Sequence, residues 1–346
     1  MSDLRAALGV IDRPHPPRRG EPDIASYKEW YHFNVLDTVS GTDLIVNLSV
    51  AGDVTRAGGG DADLIVLCHR RGEGWHGGIE RFDAAAVGFD ARSLRIESGP
   101  ARIAFENGEY RLQVERTDPP ARIDLRFAPR TDPLLLWNDT PLGGGRLNWL
   151  IVPHLDASGA IDIGRERIVL DDACAYHDHN WGHWRWGDDF GWEWGFCADE
   201  RHAAASTRTT LVFDRTSDRQ GDVSLEHTLA VWRGATLAKV FTRHALRCRR
   251  EGRFEGDVRR EPGAACLVAP GAVVTVPRGF AVSSRDGADW LDLDYRIDAA
   301  LQVSVPREYG FGLVGLNETF GEIVVSGEVG GERIAFAARA CFEFLG

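Results

Sequence analysis

The sequence predicts an all-β fold, arranged as two consecutive antiparallel β domains of the barrel or sandwich kind. Three observations predict it. Apolar residues recur with period two over short runs, turn residues punctuate those runs roughly every 8–12 residues, and no long amphipathic helix or strand–helix alternation intervenes. Glycine is abundant at 39 residues and methionine nearly absent at 1, which suits many turns and short strands. At 346 residues the chain is long for one core and sufficient for two.

Residues 1–25 are rich in Pro and Arg without periodicity and read as a loose surface arm. A first domain is expected over residues 26–183, with order beginning near Lys28. Thr42–Val50 and Ala62–His69 read as strands joined by a glycine-rich turn. Over Ala121–Phe127, Ile123, Leu125 and Phe127 point one way while Arg122, Asp124 and Arg126 point the other, the pattern of a strand with one buried face. Residues 128–146 hold three prolines and three consecutive glycines and read as a long crossing loop. The apolar runs Leu147–Leu155 and Ile161–Leu170 follow. A second domain is expected over residues 184–346, with strands at Thr207–Phe213, Leu225–Trp232, Thr236–Phe241, Ala272–Val276, Asp289–Ile297, Gly310–Leu316, Glu322–Glu328 and Arg333–Phe344. The turns Arg233–Ala235 and Val329–Glu332 fit hairpins.

The chemistry concentrates between Cys174 and Cys197. Five of the 11 tryptophans lie there (Trp181, Trp184, Trp186, Trp192 and Trp194), with His177, His179, His183, Asp178, Asp188, Asp189 and Glu193. Buried indoles seek a partner for their N–H, and apolar walls with a few placed polar groups suit a ligand pocket. In an extended Tyr176–Asn180, Tyr176, Asp178 and Asn180 share one face, and His177 and His179 take the other. A carboxyl walled by indoles can stay protonated near neutral pH and act as a general acid. The plainer alternative is an Asp accepting backbone hydrogen bonds in a turn before Gly182. A metal held by His177, His179 and His183 is disfavoured, since no carboxylate follows at short spacing and Gly182 and several tryptophans interrupt the run. No metal and no cofactor are therefore expected. Trp149 and Trp30 extend the aromatic set, whose faces can flank a polyene or stabilise a cation, or simply fill cores.

Other classes find little support. A net charge of −12 argues against nucleic-acid binding and against electrostatic docking on anionic lipid. There is no nucleophile elbow, phosphate loop or dinucleotide fingerprint. The six cysteines form no C-x-x-C pair and read as reduced thiols. Neither a signal-peptide h-region nor a membrane-length apolar run is present, so a cytoplasmic protein without a transmembrane segment is expected, transient access to a membrane surface staying open. The oligomeric state is not legible.

The run Y-H-D-H-N-W-G followed by D-D-F-G-W-E-W resembles the signature of the carotenoid 1,2-hydratase (hydroxyneurosporene synthase) family and its AttH-like relatives. Tyr176, Asp178, Asn180, Gly182, Phe190, Trp192 and Trp194 fit that pattern. Glu29-Trp30-Tyr31-His32-Phe33 is similar to the family's opening, and Asn148–Pro153 to a second Trp-containing element. His183-Trp184, Arg185 and Asp188-Asp189 depart from it. The resemblance implies two lipocalin-like domains with the site where they meet, and a small lipophilic unsaturated substrate. It implies an Asp–Tyr pair that protonates an alkene, water capturing the tertiary cation without a cofactor. By position, Asp178 would be the acid, Tyr176 its partner and Trp149 the aromatic facing positive charge. Asn180 is placed to hold water, and His177 and His179 are candidates for proton return. Trp30, Trp181, Trp184, Trp186, Phe190, Trp192 and Trp194 are the expected substrate-binding residues.

The sequence thus reads as a cofactor-free hydro-lyase acting on an isoprenoid or carotenoid-like alkene. A cyclase or pericyclase of a natural-product polyene is the alternative, because the resembling fold family includes such enzymes. A non-enzymatic lipophile carrier is the third reading.

Overall fold

The computed structural model describes all residues except 1–2, 165, 186, 201–206, 219–222, 265–266, 268–274, 309–310 and 346. The chain divides into two compact units. Unit 1 comprises residues 1–141 and 145–184, and unit 2 comprises residues 142–144 and 185–346. Each is almost wholly β, as the period-two pattern requires.

Unit 1 is built on one sheet of strands β1 (Tyr27–Asp37), β2 (Thr42–Gly52), β3 (Gly60–Arg70), β4 (Gly74–Asp83), β5 (Gly88–Phe89), β6 (Arg95–Glu97), β7 (Ala101–Glu106), β8 (Glu109–Thr117), β9 (Pro120–Pro129), β10 (Leu134–Leu142), β11 (Gly145–Ile163) and β12 (Glu166–His183). Its order is β4-β3-β2-β1-β12-β11-β9-β8-β7-β6-β5, with β10 pairing β11 off this path. β12 is therefore central, flanked by β1 and β11. Strand β9 buries Ala121, Ile123, Leu125 and Phe127 and exposes Arg122, Asp124 and Arg126, so its alternation is real. These side chains join Phe33, Val46, Val66 and Tyr110 in the unit's core. Two four-residue helical turns, Asp3–Ala6 and Leu8–Ile11, precede the sheet. They bring Leu8 and Asp12 into full burial, a placement that the segment's Pro- and Arg-rich composition conceals.

Unit 2 contains β13 (Gly191–Ala198), β14 (Thr209–Ser217), β15 (Ser224–Arg233), β16 (Thr236–Thr242), β17 (Leu246–Glu251), β18 (Val258–Glu261), β19 (Gly279–Asp286), β20 (Asp289–Pro306), β21 (Leu313–Val329) and β22 (Glu332–Leu345). The order is β16-β15-β14-β13-β22-β21-β20-β19-β17, and β18 pairs β20 in parallel, a departure from the antiparallel rule. Its core gathers Phe213, Phe280, Tyr295, Phe342 and Phe344.

Several local expectations are corrected. Residues 128–146 are not one crossing loop, because β10 runs through them. Pro141 is tolerated there since β10 pairs only with β11 and need not donate on its other side. Leu313–Leu316 of the predicted run Gly310–Leu316, and all of Glu322–Glu328, fall in one long strand, β21, whose intervening Thr319 and Phe320 are buried; Gly310 lies outside the described residues. Residues 272–274 of the predicted strand Ala272–Val276 lie outside the described residues. Strands β17 and β18 carry too many charges and too few apolar repeats to have been read from pattern alone, and β19, though it buries Phe280, Val282 and Ser284 in alternation, was also missed.

Candidate functional site

The site begins with the alternation along β12. Register places Trp30, His32 and Asn34 of β1 opposite Asn180, Asp178 and Tyr176, and Trp149 and Ile151 of β11 opposite Asn180 and Asp178. Directly paired residues share a sheet face, so these side chains stand together. Gly182 closes the motif for a steric reason. Its φ is +152°, and a Cβ there would lie 2.2 Å from the Arg146 carbonyl oxygen across the ladder.

On this face Asp178 is the focus. The Trp149 indole donates to Oδ2 at 3.0 Å, and the Tyr176 hydroxyl donates to the same oxygen at 2.9 Å. The Asn180 amide donates to Oδ1 at 3.1 Å. Asp178 is only 3% exposed, so these bonds form away from bulk water. Trp137 packs against Trp149 with ring centroids 4.9 Å apart. Trp30 meets Trp184 edge-on at 5.0 Å, and Lys28 donates to the Trp184 carbonyl at 2.6 Å. His32, the cross-strand neighbour of Asp178, is held neutral, its pKa pushed down to about 3 chiefly by burial.

The opposite face of β12 carries a closed polar network. His177 Nε2 bonds Asp12 Oδ2 at 2.9 Å, and its Nδ1 lies 3.0 Å from the His32 carbonyl. His179 bridges two carboxylates, Asp12 Oδ1 at 2.8 Å and Glu29 Oε1 at 2.8 Å. Tyr110 donates to Asp12 at 2.9 Å, and Tyr27 to Glu29 at 2.5 Å. Burial works against charge on both partners. It is outweighed by the carboxylate bonds, which lift His179 to about 9, and by the two histidines, which hold Asp12 below the usual carboxylate range. Trp181 shares this face, its ring stacked on His15 at 4.1 Å.

The structure therefore brings together Tyr176, Asp178, Asn180 and Trp149, with Trp30 and Trp184 in the same unit. It sets His177, His179 and Trp181 on the other side of the strand. His183 lies apart from the histidine pair, beside Glu21 at 3.5 Å. Donor atoms of His15, Glu29 and His179 come within 4.8 Å of one another, but Glu29 and His179 already bond each other directly. Trp186 lies outside the described residues. In unit 2, Phe190 packs near Trp192 at 5.8 Å, and Trp194 stacks over Phe196 at 6.3 Å. Sequence reasoning missed Asp12, His15 and Trp137, none of which carries a local motif. A cavity of about 500 Å³ on unit 1, lined by Arg111, Asp124, Arg126, Arg167 and Val169 among others, contains none of the tryptophans.

Unit 2 repeats the central device of unit 1. Trp149 sits opposite Asn180 and bonds the carboxyl two residues away. Trp192 lies two residues from Trp194, the register partner of Glu343, and its indole donates to the Glu343 carboxyl. Each unit thus holds an indole bound diagonally across a ladder to a buried carboxyl.

No protein-family model and no curated protein sequence matches this chain. Solved structures do. A provisionally assigned AttH from Nitrosomonas europaea aligns over 96% of this chain and 99% of its own length, with TM-score 0.64 and 15% identity. Kievitone hydratase from Nectria haematococca aligns over 97% and 93%, with TM-score 0.58 and 14% identity. CghA in complex with Sch210972 aligns over 93% and 88%, with TM-score 0.58 and 13% identity. These likenesses establish the class: the chain has the lipocalin-like all-β fold of AttH and these proteins. No helix among the described residues is long and apolar enough to cross a membrane.

Proposed function

We propose that this protein is a hydratase or cyclase that needs no cofactor, with Asp178 as a general acid toward an alkene of a small lipophilic substrate. The observation that carries the reading is the convergence of Trp149, Tyr176 and Asn180 on one buried carboxyl. Burial favours the protonated acid before reaction. The three donors favour the carboxylate that forms as the proton leaves, so they act where charge develops.

The step balances simply. The proton on Asp178 passes to the less substituted alkene carbon, and the π pair forms the new C–H bond. The more substituted carbon becomes cationic, beside the anion just formed and the Trp149 ring. Water attacks that carbon and gives up a proton, which returns to Asp178. His32, neutral and on the same face, is the imidazole suited to pass that proton; His177 and His179, on the other face, hold the strand in place. General acid catalysis of this kind contributes about 10²–10⁴-fold. A cyclase would use the same first step, with a second alkene capturing the cation. The dryness of the site favours that branch, because Asp178 and Asn180 are nearly inaccessible to solvent. The fold shared with kievitone hydratase and CghA supports both branches. A carotenoid or other isoprenoid is the proposed substrate class.

The test is product analysis by mass spectrometry after incubation with acyclic carotenoids and shorter prenyl compounds in heavy-oxygen water. A product heavier by one labelled water, absent with Asp178→Asn, supports the hydratase. An isomer of unchanged mass, also lost in that variant, supports the cyclase. Turnover that survives Asp178→Asn overturns the acid assignment.

A further inference from the structure

Asp214 of β14 is a buried carboxyl without a bond. It is 1% exposed, its Oδ2 has no hydrogen-bond partner, and no ion pair reaches it among the described residues. Buried polar groups in native proteins are almost always partnered, and an exception calls for an explanation such as a catalytic role or an absent partner. Register places Asp214 opposite Trp194 on one side and Thr228 on the other, with Trp194 next opposite Glu343. Asp214, Trp194 and Glu343 therefore stand in one row on one face. Glu343 is already served, bonded by Trp192, Trp194 and Glu318. The Trp194 N–H is committed to Glu343, and no hydrogen bond joins the Thr228 hydroxyl to Asp214 among the described residues.

The neighbouring charges say what the missing partner is. Burial first, then repulsion from Glu226 and Glu193, holds the Asp214 carboxyl well above the usual range, so it is neutral. Those two glutamates carry their own cations. Arg215 and Arg250 bind Glu193, and Arg243 binds Glu226. A carboxyl kept neutral presents no charge of its own to an ammonium ligand, and the two glutamates that repel it already hold arginines. A neutral carboxyl offers one O–H donor and one C=O acceptor. A hydroxyl group answers both at once, accepting from the first and donating to the second. Around it, Trp194, Phe196 and Val212 on the same face supply an apolar wall.

We propose that Asp214 and Trp194 form a second binding site, in unit 2, for an apolar ligand bearing one neutral hydroxyl. This site is independent of the Asp178 assignment and is proposed for binding only.

The test uses geraniol as the hydroxyl probe and geranylamine as its cationic counterpart, in calorimetric titrations of the full chain. Geraniol should bind saturably to the wild type. Asp214→Leu should weaken it about tenfold, the worth of about one hydrogen bond. Asp214→Asn should stay close to wild type, because a carboxamide also donates and accepts. Infrared spectra locate the effect: the C=O band of a protonated carboxyl should vanish in Asp214→Asn, and in the wild type it should move on adding geraniol. Removing an unpartnered carboxyl does not endanger folding, so both variants are usable. Three results would each overturn the proposal: no saturable geraniol binding, equal binding by Asp214→Leu, or tighter binding of geranylamine. A geraniol complex that leaves the infrared band unmoved would do the same.

Discussion

The Trp149 indole N–H reaches Asp178 Oδ2 at 3.0 Å across the β11–β12 ladder, two residues off register. This diagonal bond ties an aromatic face and a carboxyl into one rigid unit. A carboxyl is held beside a ring able to face a cation, the pairing that the proposed alkene protonation would use.

Trp149→Phe keeps the ring and removes the donor. Turnover should fall about 10²-fold, the cost of losing one donor to a developing charge, while substrate affinity changes little. Steady-state kcat and KM, measured separately, check this. A fall confined to affinity would make Trp149 a binding wall only.

Asp178→Asn keeps shape and hydrogen-bonding capacity but cannot protonate an alkene. Turnover should drop to background while ligand binding persists. Equilibrium binding beside product assays separates the two effects, and a carrier protein would display binding alone for both forms.

Asp12→Asn breaks the buried bridge between His177 and His179. Removing one partner of such a network costs about 3 kcal/mol or more. Urea unfolding of the two proteins measures it, and a difference within a few tenths of a kcal/mol would mean the network is not ionised.

The same network sets a pH profile. His179 is lifted from 6.5 to about 9, so its contribution is fully present below 6.5 and is lost as pH rises through 9. Asp12 is lowered from 3.8, so its contribution is present above 3.8 and is lost in acid below it. Stability from this network should therefore plateau between these windows. Melting temperatures across pH should follow that shape, and Asp12→Asn should move the alkaline loss toward neutrality.

Asp214 works in the opposite sense. A carboxyl whose folded pKa is raised stabilises the fold only below its unfolded value of 3.8, and that contribution declines as pH rises. Asp214→Asn, which needs no proton to stay neutral, should thus be more stable than wild type at neutral pH, with the gain fading in acid. Unfolding curves at two pH values decide it.

The β architecture and the face on which each central residue stands were legible in the residue pattern alone. Both follow from period two, which is a property of the backbone. Ile123, Leu125 and Phe127 are buried as alternation requires, and Tyr176, Asp178 and Asn180 share a face as it requires. Alternation also sets His177 and His179 on the far side of the strand from Asp178, but it could not say what they meet there. That was decided by tertiary structure. Asp12 lies 165 residues from His177 in the chain, and Trp149 lies 29 from Asp178. Such pairings depend on strand order and register, which no local window encodes. The isolation of Asp214 is of the same kind: whether a buried carboxyl finds a donor depends on which side chains neighbouring strands bring beside it, and that is settled by the whole sheet at once.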